Sequence, residues 1–320
     1  MEIVRRIKRI IKKSSNIFIC GHKDLDLDAI GSCVGISSIC NHFKKDNYII
    51  IDDIVNEPGV SKILSEIKDT KKIIKSSEIP NLCNDNSTLI IVDVSKKALL
   101  QNPDVLKYFK NVIVLDHHQI SEVTIPAISF IDDKYSSASE IVANLIELYR
   151  IKLSKEDATI LLSGIALDTN NFTVKTSSNT YFTAYFLSKF GADSKKVKYY
   201  LKEDLNDYII RNKVIVNVEI INKHYAVAKA PKGEKYKRED LAKMADTLLK
   251  FNDIDASFII GERIDDGIGI SARSEGKIDV GEITSELGGG GDTNTAACQI
   301  LNKDIDEVYK ELKDILTREW

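Results

Sequence analysis

Residues 16–32 read NIFICGHKDLDLDAIGS, and their reading decides the fold. NIFIC (16–20) is apolar, rich in β-branched residues and too short for a helix, which predicts a strand buried on both faces. The run stops at Gly21. His22, Asp24, Asp26 and Asp28 then follow in a polar turn. Working outward, residues 47–51 (NYIII), 88–92 (TLIIV) and 111–115 (NVIVL) repeat the strand pattern. Residues 28–43, 59–74 and 102–109 read as helices between them, and further helical patterns cover 136–150, 154–167, 178–188 and 193–219. Strands alternating with helices predict an α/β fold, a mainly parallel sheet with helices on both faces.

The character changes near residue 220. HYAVAKA (224–230), DASFIIG (255–261) and GIGISAR (267–273) read as strands, with helices at 238–250, 279–287 and 292–317. The expected organisation is a catalytic domain over 1–200, a helical linker over 201–222 and a smaller C-terminal α/β domain over 223–320. The chain has 320 residues, 43% of them hydrophobic and 29% charged, which is the balance of a globular protein. A net charge of −3 gives no general attraction to duplex nucleic acid, so phosphate recognition has to be local. No apolar run is long enough to span a bilayer. Five cysteines without a CxxC pair fit reduced thiols, and the expected location is cytoplasmic. The basic amphipathic segment 1–13 is expected to pack as a first helix with its charges in water.

Three of the strands run into metal-ligand residue types. NIFIC leads to His22, Asp24, Asp26 and Asp28, TLIIV to Asp93, and NVIVL to Asp116, His117 and His118. In an open parallel sheet such residues collect beyond the carboxyl ends of the strands. Asp168, after the apolar run ATILLSGIAL, is placed to close the site from one side. Singly, each has a plainer role: Asp26 or Asp28 as a helix N-cap, Asp93 as a turn residue. Together they crowd like charges that need a cation. Carboxylates with imidazoles and no thiolate suit manganese, magnesium or another six-coordinate ion better than structural zinc. So many acids suit two ions sharing a carboxylate.

The pattern HxxxDxDAxGS (His22 to Ser32), Asp93, Asp116-His117-His118 and Asp168 resembles the four motifs of the DHH phosphoesterase superfamily. GGGGDTNTAA (288–297) resembles the glycine-rich signature of the DHH-associated domain. The stretches 136–147 and 164–208 are similar to the catalytic part of GdpP-type cyclic-di-AMP phosphodiesterases. In those enzymes further segments precede that part, so the chain is expected to be a stand-alone version or a catalytic fragment. The resemblance implies two Mn2+ ions, with Mg2+ or Co2+ as substitutes. One would be held by His22, Asp26 and Asp93 and the other by Asp28, Asp93, His117 and Asp168, with Asp93 bridging. Asp116 would orient a ligand, and His118 would act near the substrate phosphate. Arg273, Gly289, Gly290, Gly291 and Asp292 would meet the substrate, the glycine run lying at the N-terminus of the 292–317 helix.

The implied reaction is two-metal hydrolysis of cyclic di-AMP to linear pApA. Two alternatives stand beside it: a nano-RNase or pAp phosphatase acting on short linear nucleotides, and a non-catalytic nucleotide sensor. The expected partner is a small nucleotide, with a homodimer left open. Two residues depart from the pattern. Asp292 stands where relatives carry histidine, and Asn179 where many carry arginine.

Overall fold

Each of the four apolar runs of the first half forms a strand, and residues 73–74 and 128–131, not read as strands from the sequence, add two more. These are β1 (Asn16–Cys20), β2 (Asp46–Ile50), β3 (Ile73–Ile74), β4 (Thr88–Val92), β5 (Asn111–Asp116) and β6 (Ile128–Ile131). They pair in the order β3-β2-β1-β4-β5-β6, and every pairing is parallel. The computed structural model describes residues 2–52, 57–119 and 125–318. These fall into two compact units, Met1–Glu203 and Asp204–Trp320.

Both sheet faces are buried, which is why the strands read as unbroken apolar runs. Ile17, Ile19, Ile90, Val92, Ile113 and Leu115 join one core, and Phe18, Cys20, Leu89, Ile91, Val112 and Val114 join another on the opposite face. The first core is covered by α1 (Glu2–Lys13), α2 (Leu27–His42), α3 (Pro58–Ile67) and, after α4 (Ile79–Leu82), by α5 (Ala138–Leu148) and α6 (Lys155–Asp168). Shorter turns cover the second, among them α4 and a 3-10 run at Pro103–Tyr108. Ile7 and Ile11 tie α1 to the first core while Arg5, Arg6 and Arg9 stay exposed. The unit ends with α7 (Ser178–Lys189) and α8 (Ser194–Tyr200).

The sheet order fixes where a site can form. The chain winds outward from β1 through β2 to β3, then returns to the other side of β1 for β4, β5 and β6. Loops leaving β1 and β4 therefore diverge and open a crevice at the carboxyl edge of the sheet. The two helices that flank it cross closely. A Cβ on Gly31 would stand 3.1 Å from the Ile160 carbonyl oxygen, and one on Gly164 would stand 2.9 Å from Asp28 Cα. Glycine at both positions lets α2 and α6 approach at backbone distance.

The second unit begins with α9 (Leu205–Ile215) and holds β7 (Glu219–Ile221), β8 (Tyr225–Lys229), β9 (Lys235–Tyr236), α10 (Arg238–Leu248), β10 (Ala256–Arg263), β11 (Ile268–Ser274), α11 (Val280–Ser285), β12 (Gly290–Gly291), β13 (Thr295–Ile300) and α12 (Ile305–Leu316). Its strands form a mixed sheet in the order β12-β13-β11-β10-β8-β7, with β9 beside β10. The stretch 201–222 holds α9 and also β7, which pairs antiparallel with β8.

Four helical expectations are corrected. The 59–74 helix stops at Ile67, because Ile73 and Ile74 leave it to pair with β2. The 102–109 segment is the 3-10 run rather than α-helix. The 193–219 helix breaks where the Asp204 carboxylate accepts from the Asn206 and Asp207 amides and starts α9 afresh. The 292–317 helix exists only from Ile305, since residues 295–300 form β13 against β11. The glycine run is therefore not at a helix N-terminus. Gly290 and Gly291 form β12, a two-residue strand on β13.

Candidate metal centre

The turn after β1 supplies the first ligands. Asp26 Oδ1 accepts from the Asp28 and Ala29 amides at 2.9 Å each, so it caps α2, and its side chain stays partly exposed beside His22. His22 Nδ1 lies 2.6 Å from the Lys23 carbonyl oxygen, which fixes the ring and leaves Nε2 for the site. Asp28, in the first turn of α2, is fully buried. Its two carboxylate oxygens accept from the Ala138 and Ser139 amides at 2.7 and 2.8 Å, at the start of α5. That N-terminus carries part of the cost of burying the charge. Asp93 leaves β4 with a φ of 60°, a left-handed conformation uncommon for an aspartate.

The six implied ligands gather at the crevice. Asp93 Oδ2 is 3.3 Å from His22 Nε2, which is 3.7 Å from Asp26 Oδ1. Asp93 Oδ1 is 3.3 Å from His117 Nε2, which is 3.1 Å from Asp168 Oδ2 and 3.9 Å from Asp28 Oδ2. Two clusters, His22-Asp26-Asp93 and Asp28-His117-Asp168, thus meet on the two oxygens of one carboxylate. Asp116, at the end of β5, accepts from His118 Nδ1 at 2.7 Å and from the His118 amide at 3.2 Å. Ser95 lies near enough to help hold the Asp116 carboxyl low, and Asp116 steadies His118, whose side chain is 59% exposed. His118 Nδ1 lies 3.7 Å from Asp93 Oδ1. Asp24 sits in the turn with φ 56°.

These groups fit cations. Ligand atoms about 2.1 Å from a six-coordinate ion stand about 3.0 Å apart when adjacent and about 4.2 Å apart when opposite. The spacings of 3.1–3.9 Å within the two clusters fall in that window. Asp93 Oδ1, His117 Nε2 and Asp116 Oδ2 are buried without a hydrogen-bond partner among the described residues. Protonation carries the load in the metal-free protein. Burial alone would lower the His22 pKa, but Asp26 and Asp93 lift it to about 12. Burial opposes His117 likewise, and Asp168 and Asp93 lift it to about 11. Burial also works against ionised Asp93, yet His117 and His22 hold its carboxyl well below the usual carboxylate range. Burial pushes Asp28 and Asp168 up, with neighbouring carboxylates adding to the effect. Bound cations would take over the role of those protons.

The residues that the resemblance assigns to the substrate lie in the second unit. Arg273 on β11 donates from Nε to Asp246 at 2.8 Å and from Nη1 to the Ala272 carbonyl at 2.9 Å. Asp292 Oδ1 accepts from the Asn294 and Thr295 amides at 2.8 and 2.7 Å, closing the turn between β12 and β13 rather than capping a helix. Gly289 and Gly291 press against the β13 backbone, while a side chain on Gly290 would meet open space. Asn179, in the first unit, donates at 2.5 Å to the fully buried Glu140. Sequence reasoning assigned no role to Ser95, Glu140 or the Ala138–Ser139 amides. The box Ser137-x-x-Glu140 marks a helix start, but nothing local shows that Asp28 docks there.

Residues 16–165 match the DHH family, N-terminal domain, and residues 222–318 match the DHHA1 domain. The chain carries a DHH domain followed by a DHHA1 domain. This DHH chain is 35% identical over 99% of its length to the cyclic-di-AMP phosphodiesterase PdeA of Listeria monocytogenes, of which it covers 50%. It thus spans about half the length of that relative. It is 22% identical to the bifunctional oligoribonuclease and PAP phosphatase NrnA of Thermus thermophilus, covering 99% of this chain and 94% of that protein. The fold of the DHH chain matches the crystal structure of an exopolyphosphatase-related protein from Bacteroides fragilis with a TM-score of 0.80 at 21% identity, over 98% of this chain and 95% of that one. Among the described residues no helix is long and apolar enough to cross a membrane.

Proposed function

We propose that this DHH chain is a metal-dependent phosphodiesterase that hydrolyses cyclic di-AMP to linear pApA. One observation carries the reading. The two oxygens of Asp93 face two separate His/Asp clusters, 3.3 Å from His22 on one side and 3.3 Å from His117 on the other. In this reading His22, Asp26 and Asp93 hold one divalent cation, and Asp28, Asp93, His117 and Asp168 hold the second. Such a pair supplies Lewis-acid polarisation of the phosphate and a lowered pKa for the attacking water.

The chain's own residues do the rest. Asp116 accepts the Nδ1 proton of His118, which sets the tautomer and orientation of the ring. As water attacks phosphorus and gives up a proton to solvent, the P–O3′ bond breaks and His118 donates a proton to the departing 3′-oxygen, to be reprotonated from solvent afterwards. Arg273, Gly289, Gly290, Gly291 and Asp292 are the candidate substrate residues of the second unit, Arg273 for a phosphate oxygen and Asp292 for base or phosphate preference. The name of PdeA supports the cyclic substrate. The near-full-length match to NrnA favours short linear nucleotides as the second reading.

A turnover panel tests both. With Mn2+, and then Mg2+ and Co2+, the protein is offered cyclic di-AMP, pApA and pAp. The proposal expects pApA to accumulate from the cyclic compound. Preference for pAp or short RNA would install the linear reading, and binding without turnover would make the chain a sensor.

A further inference from the structure

The carboxyl edge of the parallel sheet carries one more polar pair, and its bonding is incomplete. Asp52 follows β2. β1 and β2 pair in parallel up to Ile19 opposite Ile49, so the segments that leave them, to His22 and to Asp52, depart from the same edge of neighbouring strands. Gln101 follows Leu100, which forms an isolated antiparallel bridge with His22, and the Lys23 amide donates to the Leu99 carbonyl at 2.7 Å. Gln101 thus follows the residue that bridges to His22, and Asp52 reaches that neighbourhood through its bond to Gln101.

One end of each side chain is spent on the frame. The Ser76 amide donates to Asp52 Oδ1 and the Asp52 amide donates to Gln101 Oε1, each at 2.8 Å. The Lys75 ammonium on the Asp52 carbonyl at 3.0 Å and the Asn102 amide on Ser76 Oγ at 2.9 Å pin the same frame. The other ends, Asp52 Oδ2 and Gln101 Nε2, are buried and have no hydrogen-bond partner among the described residues. Leaving such atoms unpaired is costly. The bond to the Asp52 amide fixes which end of Gln101 is oxygen, so Nε2 is a donor. The pair thus presents one acceptor and one donor, joined through a shared hydrogen bond.

Adenine carries the complement: an amino group that donates and, beside it, a ring nitrogen that accepts. A 6-oxopurine reverses both along its Watson–Crick edge. We propose that Asp52 and Gln101 read adenine beside the metal centre, Asp52 Oδ2 accepting from the amino group and Gln101 Nε2 donating to the ring nitrogen. This rests on the adenine-dinucleotide reading above and gives it a specificity-determining pair.

The test compares equilibrium binding of AMP and IMP, which differ at that edge, to the Mn2+-loaded chain. The expected result is AMP bound at least about tenfold more tightly. Gln101→Met, close in volume, and Asp52→Asn should each bring the ratio toward one. A ratio is insensitive to a uniform loss from partial misfolding. Equal binding of AMP and IMP by the unmodified chain would overturn the proposal. So would an unchanged ratio in both variants, the result expected if a trapped water satisfies the two atoms. Should the ratio behave as expected while cyclic di-AMP is not cut, the reaction assigned above fails and the base-reading pair stands.

Discussion

Asp93 is the residue on which both clusters depend, and its left-handed backbone is the local cost of aiming one carboxylate two ways. Asp93→Ala should bring phosphodiesterase activity to background at any Mn2+ concentration, because neither cluster survives alone. Near-normal turnover would refute the bridging role. Asp116 acts at one remove, through His118. Asp116→Asn should lower kcat about 10- to 100-fold with KM little changed, measured by steady-state kinetics; a change confined to KM would instead place Asp116 in ground-state binding. Much of this was legible in the sequence. Histidines and aspartates that end buried strands can face only one edge of a parallel sheet. The brace on Asp28 was not, since its donors lie 110 and 111 residues away. Nor was the pairing of Asn179 with Glu140, which needs two helix starts to meet.

At the scale of elements, α2 and α6 act as a clamp. Asp28 rides on the first and Asp168 ends the second. Gly164→Ala would drive a methyl group into Ser139 Oγ and to 2.8 Å from Asp28 Oδ1. The expected loss is about 1–3 kcal/mol in urea denaturation together with weaker metal binding; an unchanged metal affinity would show that the helices yield. The strands of the first sheet were readable because burial on both faces makes them continuous apolar runs. β3 escaped because two isoleucines at the end of a helical pattern carry too little period of their own. β13 escaped for a different reason. TAACQI has alanines that favour helix, yet Ala296 and Cys298 alternate inward with more exposed neighbours, and pairing with β11 overrides the local preference.

For the molecule as a whole, metal binding and folding are linked. Carboxylates gathered at one edge repel one another without cations, so ions that bind only the folded chain stabilise it by about 2.7 kcal/mol at a hundredfold excess over Kd. Mn2+ should therefore raise the thermal midpoint and a chelator should reverse the rise, while the Asp93→Ala variant stays flat under both. A midpoint indifferent to Mn2+ in the unmodified chain would separate the centre from folding. The helix clamp also bears on how far the centre can adjust to whatever it holds. With no Cβ at Gly31 and Gly164 to hold the two backbones apart, α2 and α6 meet at main-chain distance, and the residues they carry have little slack. Two absent methyl groups thus decide how closely the walls of the centre stand.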